Sequence, residues 1–200
     1  IENYSEAYTS AFALINYLKT TQKHSLPQIT KISVLSKNNT LYLDNVTIKN
    51  LEITESMNQK DKNSTLFSVL DQTKTAPGAR YLKNLLKNPF LDIDLINLRL
   101  DATEELINDL LSREEIRETL NFIYDLERLI SRIVSEKNNP RDCIALKNSL
   151  EKLSDLEKIL FHFQKKILKN YYGYFKAFNS QDSSFQKIID LINKSIKEDC

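Results

Sequence analysis

Residues 139–153 read NPRDCIALKNSLEKL, and this stretch decides the class of fold. Asn139 followed by Pro140 is an N-cap with proline at the first helical position, where the missing N–H costs nothing. An apolar stripe follows at spacings of three and four, formed by Cys143, Leu146, Leu150 and Leu153. The stretch therefore predicts an amphipathic α-helix with one face in a core.

The same periodicity extends from this helix in both directions. It predicts helices at 4–22, from 45 to near 57, at 65–72, at 75–88, after Asp92, after Asp125, at 154–178 and at 183–198. With only two Gly and four Pro in 200 residues, long helices with few breaks are favoured over a turn-rich β fold. We therefore expect an all-α, multi-helical domain.

Helical spacing also predicts which side chains point inward. In the helix after Asp92 the expected inner face is Ile93, Ile96, Leu100, Thr103, Ile107 and Leu110. At 65–72 it is Leu66, Val69 and Leu70, and after Asp125 it is Leu126, Leu129, Ile130 and Ile133. Two further stripes are Leu156, Ile159, Leu160, Phe163, Ile167, Tyr171 and Tyr174, and then Phe185, Ile188, Ile189, Ile192 and Ile196.

One segment breaks the helical period. Two short β-leaning runs lie on either side of an Asn-rich turn, which predicts one small β-hairpin near residues 29–43. The organisation we expect is an N-terminal helix at 1–22, the hairpin and a short helix at 23–64, and a helical core at 65–200. Because the chain opens on Ile1 in an apparent helix, we expect it to be a segment of a longer protein.

The residues carry no pattern of catalysis. Gly78 and Gly173, the only glycines, cannot form a phosphate-binding loop, and neither histidine has a second His or Cys at metal-ligand spacing. Cys143 falls on an inward helical face, which favours a packing thiol over a nucleophile. A formal net charge of +1 gives no general excess of basic residues.

One basic cluster is a weak candidate for nucleic-acid binding. Lys165, Lys166 and Lys169 precede Tyr171 and Tyr172, and basic residues interleaved with aromatic ones can hold nucleic acid. The helical spacing of the aromatic residues instead favours a place in the core. Both interpretations stay open from the sequence.

Three stretches look unlike generic helices. LDNVTIKNLEI at 43–53 is similar to an LD-x-x-T-x-x-NLE segment, and LDQTKTAPGAR at 70–80 to an LD-x-T-x-T-x-x-G-x-R segment. YDLERLISRI at 124–133, followed by NPRD at 139–142, is similar to DLERLLSRI and NPRDL segments. All occur in this order in the MutS-type DNA mismatch-repair proteins, which the chain resembles across 1–160.

The resemblance implies the core or lever domain of such a protein, lying between connector and ATPase domains and carrying the DNA clamp. ATP state would move the lever helices and open or close the clamp on DNA. ATP and Mg²⁺ are then cofactors of an ATPase domain outside this segment, which would itself be no enzyme and hold no cofactor. The whole protein would be a cytoplasmic homodimer acting on duplex DNA, with no membrane partner.

We expect the family-motif residues to be structural, with arginines tying helix ends to carboxylates. Gly78 would reflect close approach of a neighbouring helix or an unusual backbone angle. The motif set is Asn50, Leu51, Glu52, Asp71, Thr73, Thr75, Gly78, Arg80, Asp125, Glu127, Arg128, Arg132, Pro140, Arg141 and Asp142.

Two other functions stay open from the residues alone: a stand-alone helical module that binds partner helices, and a weak DNA-binding module. Seven exposed apolar side chains would also drive self-association, so we expect a dimer through 155–198 if the last two helices cover each other incompletely.

The missing phosphate loop generates a first prediction. We expect the chain to show no ATP hydrolysis and no ATP-dependent change in melting temperature, since stabilisation requires preferential binding to the folded state. Thermal melts with and without Mg²⁺–ATP test this, and a clear nucleotide-dependent shift would contradict it.

Overall fold

A computed structural model describes residues 5–22, 39–57, 63–179 and 184–196. The helices in these ranges are α1 (Ser5–Gln22), α2 (Asn45–Asn50), α3 (Leu66–Leu70), α4 (Ala76–Lys87), α5 (Ile93–Asn108), α6 (Leu110–Asn121), α7 (Leu126–Val134), α8 (Pro140–Leu160), α9 (Lys166–Phe178) and α10 (Ser184–Ser195). The prediction of an all-α fold is confirmed. The chain divides into two compact units, residues 1–36 and 37–200.

The described part of the first unit is α1, at the position predicted from the sequence. Its polar side chains turn back on the helix: the Ser10 hydroxyl donates to the Glu6 carbonyl at 2.9 Å, and Thr21 donates to Tyr17 at 2.8 Å. Across the described ranges of both units, no helix has the length and apolar character needed to span a lipid bilayer.

Among the described residues of the second unit there is one short β contact. Thr40 pairs antiparallel with Phe90, where the Leu41 N–H donates to the Pro89 carbonyl at 2.8 Å and the Leu91 N–H to Asn39 at 2.9 Å. The first run of the predicted hairpin, 29–35, lies outside the described residues. The second run, 41–43, follows directly on this bridge, and its described partner is the segment just before α5.

Helix α8 is the centre of the second unit. Its capping box joins Asn139 and Asp142, and Pro140 is its first residue, as the sequence predicts. Along most of its length, buried leucines of α8 pack with Leu129 of α7 and with Ile189 and Ile192 of α10. The leucines are Leu146, Leu150, Leu153 and Leu156.

The last turn of α8 builds a neighbouring cluster. Ile159 and Leu160 pack with Ala102 of α5 and with Phe163 and Leu168 around the start of α9. Two half-buried side chains, Ile116 of α6 and Phe175 of α9, pack against both clusters. The core is therefore continuous along α8.

Ser149 is fully buried within the apolar face of α8. Its hydroxyl donates to the Ala145 carbonyl at 2.7 Å and accepts the Tyr124 backbone N–H at 3.0 Å. This small polar side chain therefore satisfies a backbone donor just before α7, which would otherwise be costly to bury.

The boundary predicted between the helices at residue 154 is wrong. α8 continues to Leu160, because Leu156, Ile159 and Leu160 still find apolar partners, and the chain then turns before α9 begins at Lys166. The turn changes the helical phase. Tyr171 and Tyr174 are consequently 45% and 63% exposed and do not continue the buried stripe.

The inner face predicted for α5 is also wrong. Ile93, Leu100 and Ile107 are each more than half exposed, whereas Ala102 is buried. α5 carries a second apolar stripe of Leu95, Leu98, Ala102 and Leu106, and α6 and α9 pack against the helix. The small Ala102 allows this close packing, so tertiary contact selected this stripe over the predicted one.

The short helices near the start of the second unit depart from prediction as well. α2 ends at Asn50 rather than near Met57, because Glu52 adopts a positive φ of 47° and turns the chain. Three side chains predicted to point inward from α3 are exposed, as is Ile130 of α7. Those of α3 are Leu66, Val69 and Leu70.

The two stripes expected to drive dimerisation are largely covered. Leu156, Ile159, Leu160 and Phe163 are buried, and Ile189 and Ile192 of α10 close onto α8. The cover is incomplete at Tyr171, Tyr174 and Ile188, which are exposed, and self-association through 155–198 stays a prediction.

Gly78 lies in the first turn of α4, where its N–H donates to the Thr75 hydroxyl at 3.1 Å. Its φ is not positive, and a Cβ at Gly78 would lie 2.9 Å from that hydroxyl oxygen. Neither explanation expected from the sequence holds in the described chain. The glycine instead makes room for the side chain that caps its own helix.

This contact predicts a background-dependent effect of one substitution. Gly78→Ala should lower the free energy of unfolding by about 1 kcal/mol, because the cap must move. In a Thr75→Ala background the clash is absent, and the same substitution should be neutral or stabilise by up to about 1 kcal/mol through helix propensity. Urea melts of the four proteins measure this; equal effects in both backgrounds would reject the explanation.

Candidate functional site

An arginine joins α4 to the start of α7. The Arg80 guanidinium donates to both carboxylate oxygens of Asp125, at 2.7 and 3.0 Å, and also to Glu127. Asp125 in turn caps α7 by accepting the Arg128 N–H at 3.3 Å. Arg80 is the largest cause of the lowered pKa of Asp125, and the two carboxylates raise the pKa of Arg80.

A second arginine joins the end of α7 to the start of α8. Arg132 Nη2 lies 3.0 Å from Oδ2 of Asp142, a buried carboxylate. The same Asp142 oxygen accepts the Asn139 N–H at 2.9 Å in the capping box. Two family motifs, at 124–133 and 139–142, are therefore in direct contact through this pair.

The remaining motif residues lie in turns and helix caps. Glu52 accepts the Met57 N–H at 2.7 Å, and the Asp71 carboxylate accepts the backbone N–H and the hydroxyl of Thr73. Thr75 caps α4, while Leu51 next to Asn50 is exposed at the end of α2. Arg128 and Arg141 are exposed, and within the described chain their side chains have no ion pair.

Sequence reasoning missed a polar junction between the turn before α6 and the turn before α9. Asp109 caps α6 and accepts a hydrogen bond from Nε2 of His162 at 2.9 Å. Glu105 accepts the backbone N–H groups of Gln164 and Lys165 at 2.7 and 2.9 Å. A carboxylate from α5 therefore caps the start of α9, where Lys165 provides no side-chain cap.

This junction borders a cleft of about 330 Å³, but it lacks the geometry of a catalytic triad. Ser112 Oγ lies 3.4 Å from the same ring nitrogen, Nε2, that Asp109 approaches. In a triad, the serine and the aspartate bind opposite nitrogens of the ring. Among the described residues, no group of three or more His, Cys, Asp or Glu side chains could hold a metal ion.

The candidate lysines divide into two kinds. Lys165 lies 3.5 Å from a carboxylate oxygen of Asp101 and is only partly exposed. Lys166 and Lys169 are exposed on α9. The helix therefore presents the second and third lysine outward, while the first is neutralised by α5.

The all-α domain built on α8 is similar to a domain of a known protein family. Residues 46–200 match the family model described as MutS domain III. A DNA mismatch repair protein MutS from Caldanaerobacter subterraneus subsp. tengcongensis is 43% identical over 94% of this chain and 21% of its own length. One from Lachnoclostridium phytofermentans is 38% identical over 100% of this chain and 21% of its own length.

The chain belongs to the MutS family and contains its domain III. A third relative, the DNA mismatch repair protein MutS of Desulforamulus reducens, is 44% identical over 91% of this chain. The chain spans about a fifth of the length of these curated relatives.

The Asp109 contacts generate a prediction about pH. Hydrogen bonds from the hydroxyl and N–H of Ser112, and then from His162, lower the pKa of Asp109 from 3.8 to about 2. A lowered folded-state pKa stabilises the fold above the ordinary value, and the stabilisation is lost as pH falls towards the folded value. We expect Asp109→Asn to remove the part of the acid-induced loss of stability that falls between about pH 4 and about pH 2.

Thermal melts across this range measure the difference between the two proteins. Asparagine is an equally good cap, so the helix itself keeps its N-terminal hydrogen bond. Glu118→Gln, at an exposed carboxylate of the same helix, is the matched control. A difference between wild type and Asp109→Asn that stays constant down to about pH 2 would contradict the assignment.

Proposed function

We propose that this chain is the core and lever segment of a longer mismatch repair protein and transmits movement between its ATPase domain and its DNA clamp. The observation that carries the proposal is α8. Helices α6, α7, α9 and α10 all pack against this single 21-residue helix. A helix of that length extends about 31 Å, and its covered faces make it stiff.

Polar contacts hold both ends of α8 to their neighbours. Arg132 of α7 pairs with Asp142 in the first turn, and Asn179, after α9, donates to Glu157 near the last turn at 2.6 Å. A body fixed in this way moves as a unit, because packed helices shift between discrete arrangements rather than deform continuously. That property suits a lever.

The chemistry then belongs to the rest of the longer protein. We propose that ATP and Mg²⁺ bind in a separate ATPase domain, that the connector and clamp domains contact this segment, and that the whole protein is a cytoplasmic homodimer acting on duplex DNA. The printed names of the relatives, DNA mismatch repair protein, support the process. The sequence supports placing ATP binding outside this segment, because its two glycines form no phosphate-binding loop.

A test in the full-length protein changes only the stiffness of α8. Glu151 and Lys158 are exposed on this helix, so Glu151→Gly with Lys158→Gly loosens it without touching the core, by about 1 kcal/mol per glycine. The pair Glu151→Ala with Lys158→Ala removes the same side chains but favours the helix.

We expect the glycine pair to slow ATP-dependent release of DNA while DNA binding and ATP hydrolysis, measured separately, are retained. The alanine pair should release DNA normally. Release at the normal rate from the glycine pair would show that stiffness of α8 does not carry the coupling.

A further inference from the structure

The outer face of α9 is basic. Lys166, Lys169 and Lys176 are exposed, and no acidic residue occurs between Lys166 and Phe178. Successive helical residues are 100° apart, which places these three lysines within an arc of about 80° that excludes the buried Leu168. A chain with a net charge of only +1 therefore concentrates positive charge on this surface.

The acidic groups that border α9 are engaged elsewhere. Asp101 pairs with Lys165, Glu105 accepts two backbone N–H groups at the start of the helix, and Glu157 accepts the Asn179 amide. Lys176 Nζ lies 5.8 Å from the centre of the Tyr172 ring, a cation–π contact that leaves the ammonium on the surface. These lysines are thus available to an external anion.

Gly173 lies between Lys169 and Lys176 on the same face. Glycine destabilises the interior of a helix, so its presence needs a reason. The φ angle of Gly173 is not positive, and no atom lies within 4 Å of the place that a Cβ would take. Packing within the described chain therefore does not require it. Together with Ala177, one turn later, it leaves a low surface between lysines where another backbone could approach closely.

We propose that this face, formed by Lys166, Lys169, Gly173 and Lys176, binds the phosphate backbone of duplex DNA. The lysines span about 15 Å of helix axis, over which one DNA strand presents about four phosphates. Asn170 and Tyr174, both exposed beside them, add hydrogen-bond donors. The contact reads no bases, so it holds DNA without sequence or mismatch preference. This role goes beyond the lever function and does not depend on it.

Fluorescence anisotropy with the 200-residue chain and a labelled duplex of about 30 base pairs tests the proposal, at about 50 and about 200 mM salt. The variant K166Q/K169Q/K176Q should bind at least about tenfold more weakly at the lower salt. The negative slope of the logarithm of its association constant against the logarithm of salt concentration should become shallower by about two to three. The control K49Q/K74Q/K137Q removes the same charge at exposed lysines elsewhere and should keep most of the affinity.

Equal loss in the two triple variants would overturn the proposal, since net charge alone would explain it. Tighter binding to a mismatched than to a matched duplex would also overturn it. Polyglutamate is the competing polyanion: if it binds the wild-type chain as tightly as DNA does, with the same loss in K166Q/K169Q/K176Q, the face recognises acidic proteins instead.

A second variant separates close approach from charge. Gly173→Leu should raise the melting temperature, because leucine favours the helix and meets open space, but weaken DNA binding at least about fivefold, as for a lost phosphate contact. Gly173→Ala should raise the melting temperature with a smaller loss of affinity. Unchanged affinity in Gly173→Leu would reject the assignment of Gly173 to the interface.

Discussion

Burial of one face of α8 is the constraint on which the rest of the second unit depends. Leu146, Leu150, Leu153 and Leu156 form most of this face, and Ile159 and Leu160 continue it to the end of the helix. Each such side chain stabilises the fold by roughly 1.5–3 kcal/mol. Because one helix contributes to both apolar clusters, the helices that pack against it, α6, α7, α9 and α10, each take a position set by the part of α8 that they cover.

Polar contacts then fix the orientation of helices that apolar packing alone would leave adjustable. Arg80, Arg132, Glu105 and His162 each contact a neighbouring element at a helix end. Glu105 itself caps α9, whereas the other three side chains pair with Asp125, Asp142 and Asp109, the carboxylates that accept backbone N–H groups at the starts of α7, α8 and α6. For a segment proposed to transmit movement, such joints matter more than a cleft, because they determine which helices move together.

The surface of α9 shows how the same element can serve the fold and a partner. Leu168 and Phe175 hold it to the core, while the lysines and Gly173 face away. Charge on the outer face does not disturb packing, because the two sets of residues are separated around the helix. The proposed contact with DNA phosphates therefore requires no change in the packing of α9.

The sequence by itself determined the all-α class, the cap at Asn139 and the family, since each depends on local spacing or on contiguous motifs. Only the tertiary structure decided which stripe of α5 is buried, where α8 ends, and that Glu105 caps α9. Those outcomes depend on partners up to 60 residues away along the chain, as in the bond from the Lys165 N–H to Glu105. Helical periodicity indicates that a face is apolar. When a helix has two apolar faces, the neighbouring helices that pack against it determine which face is buried.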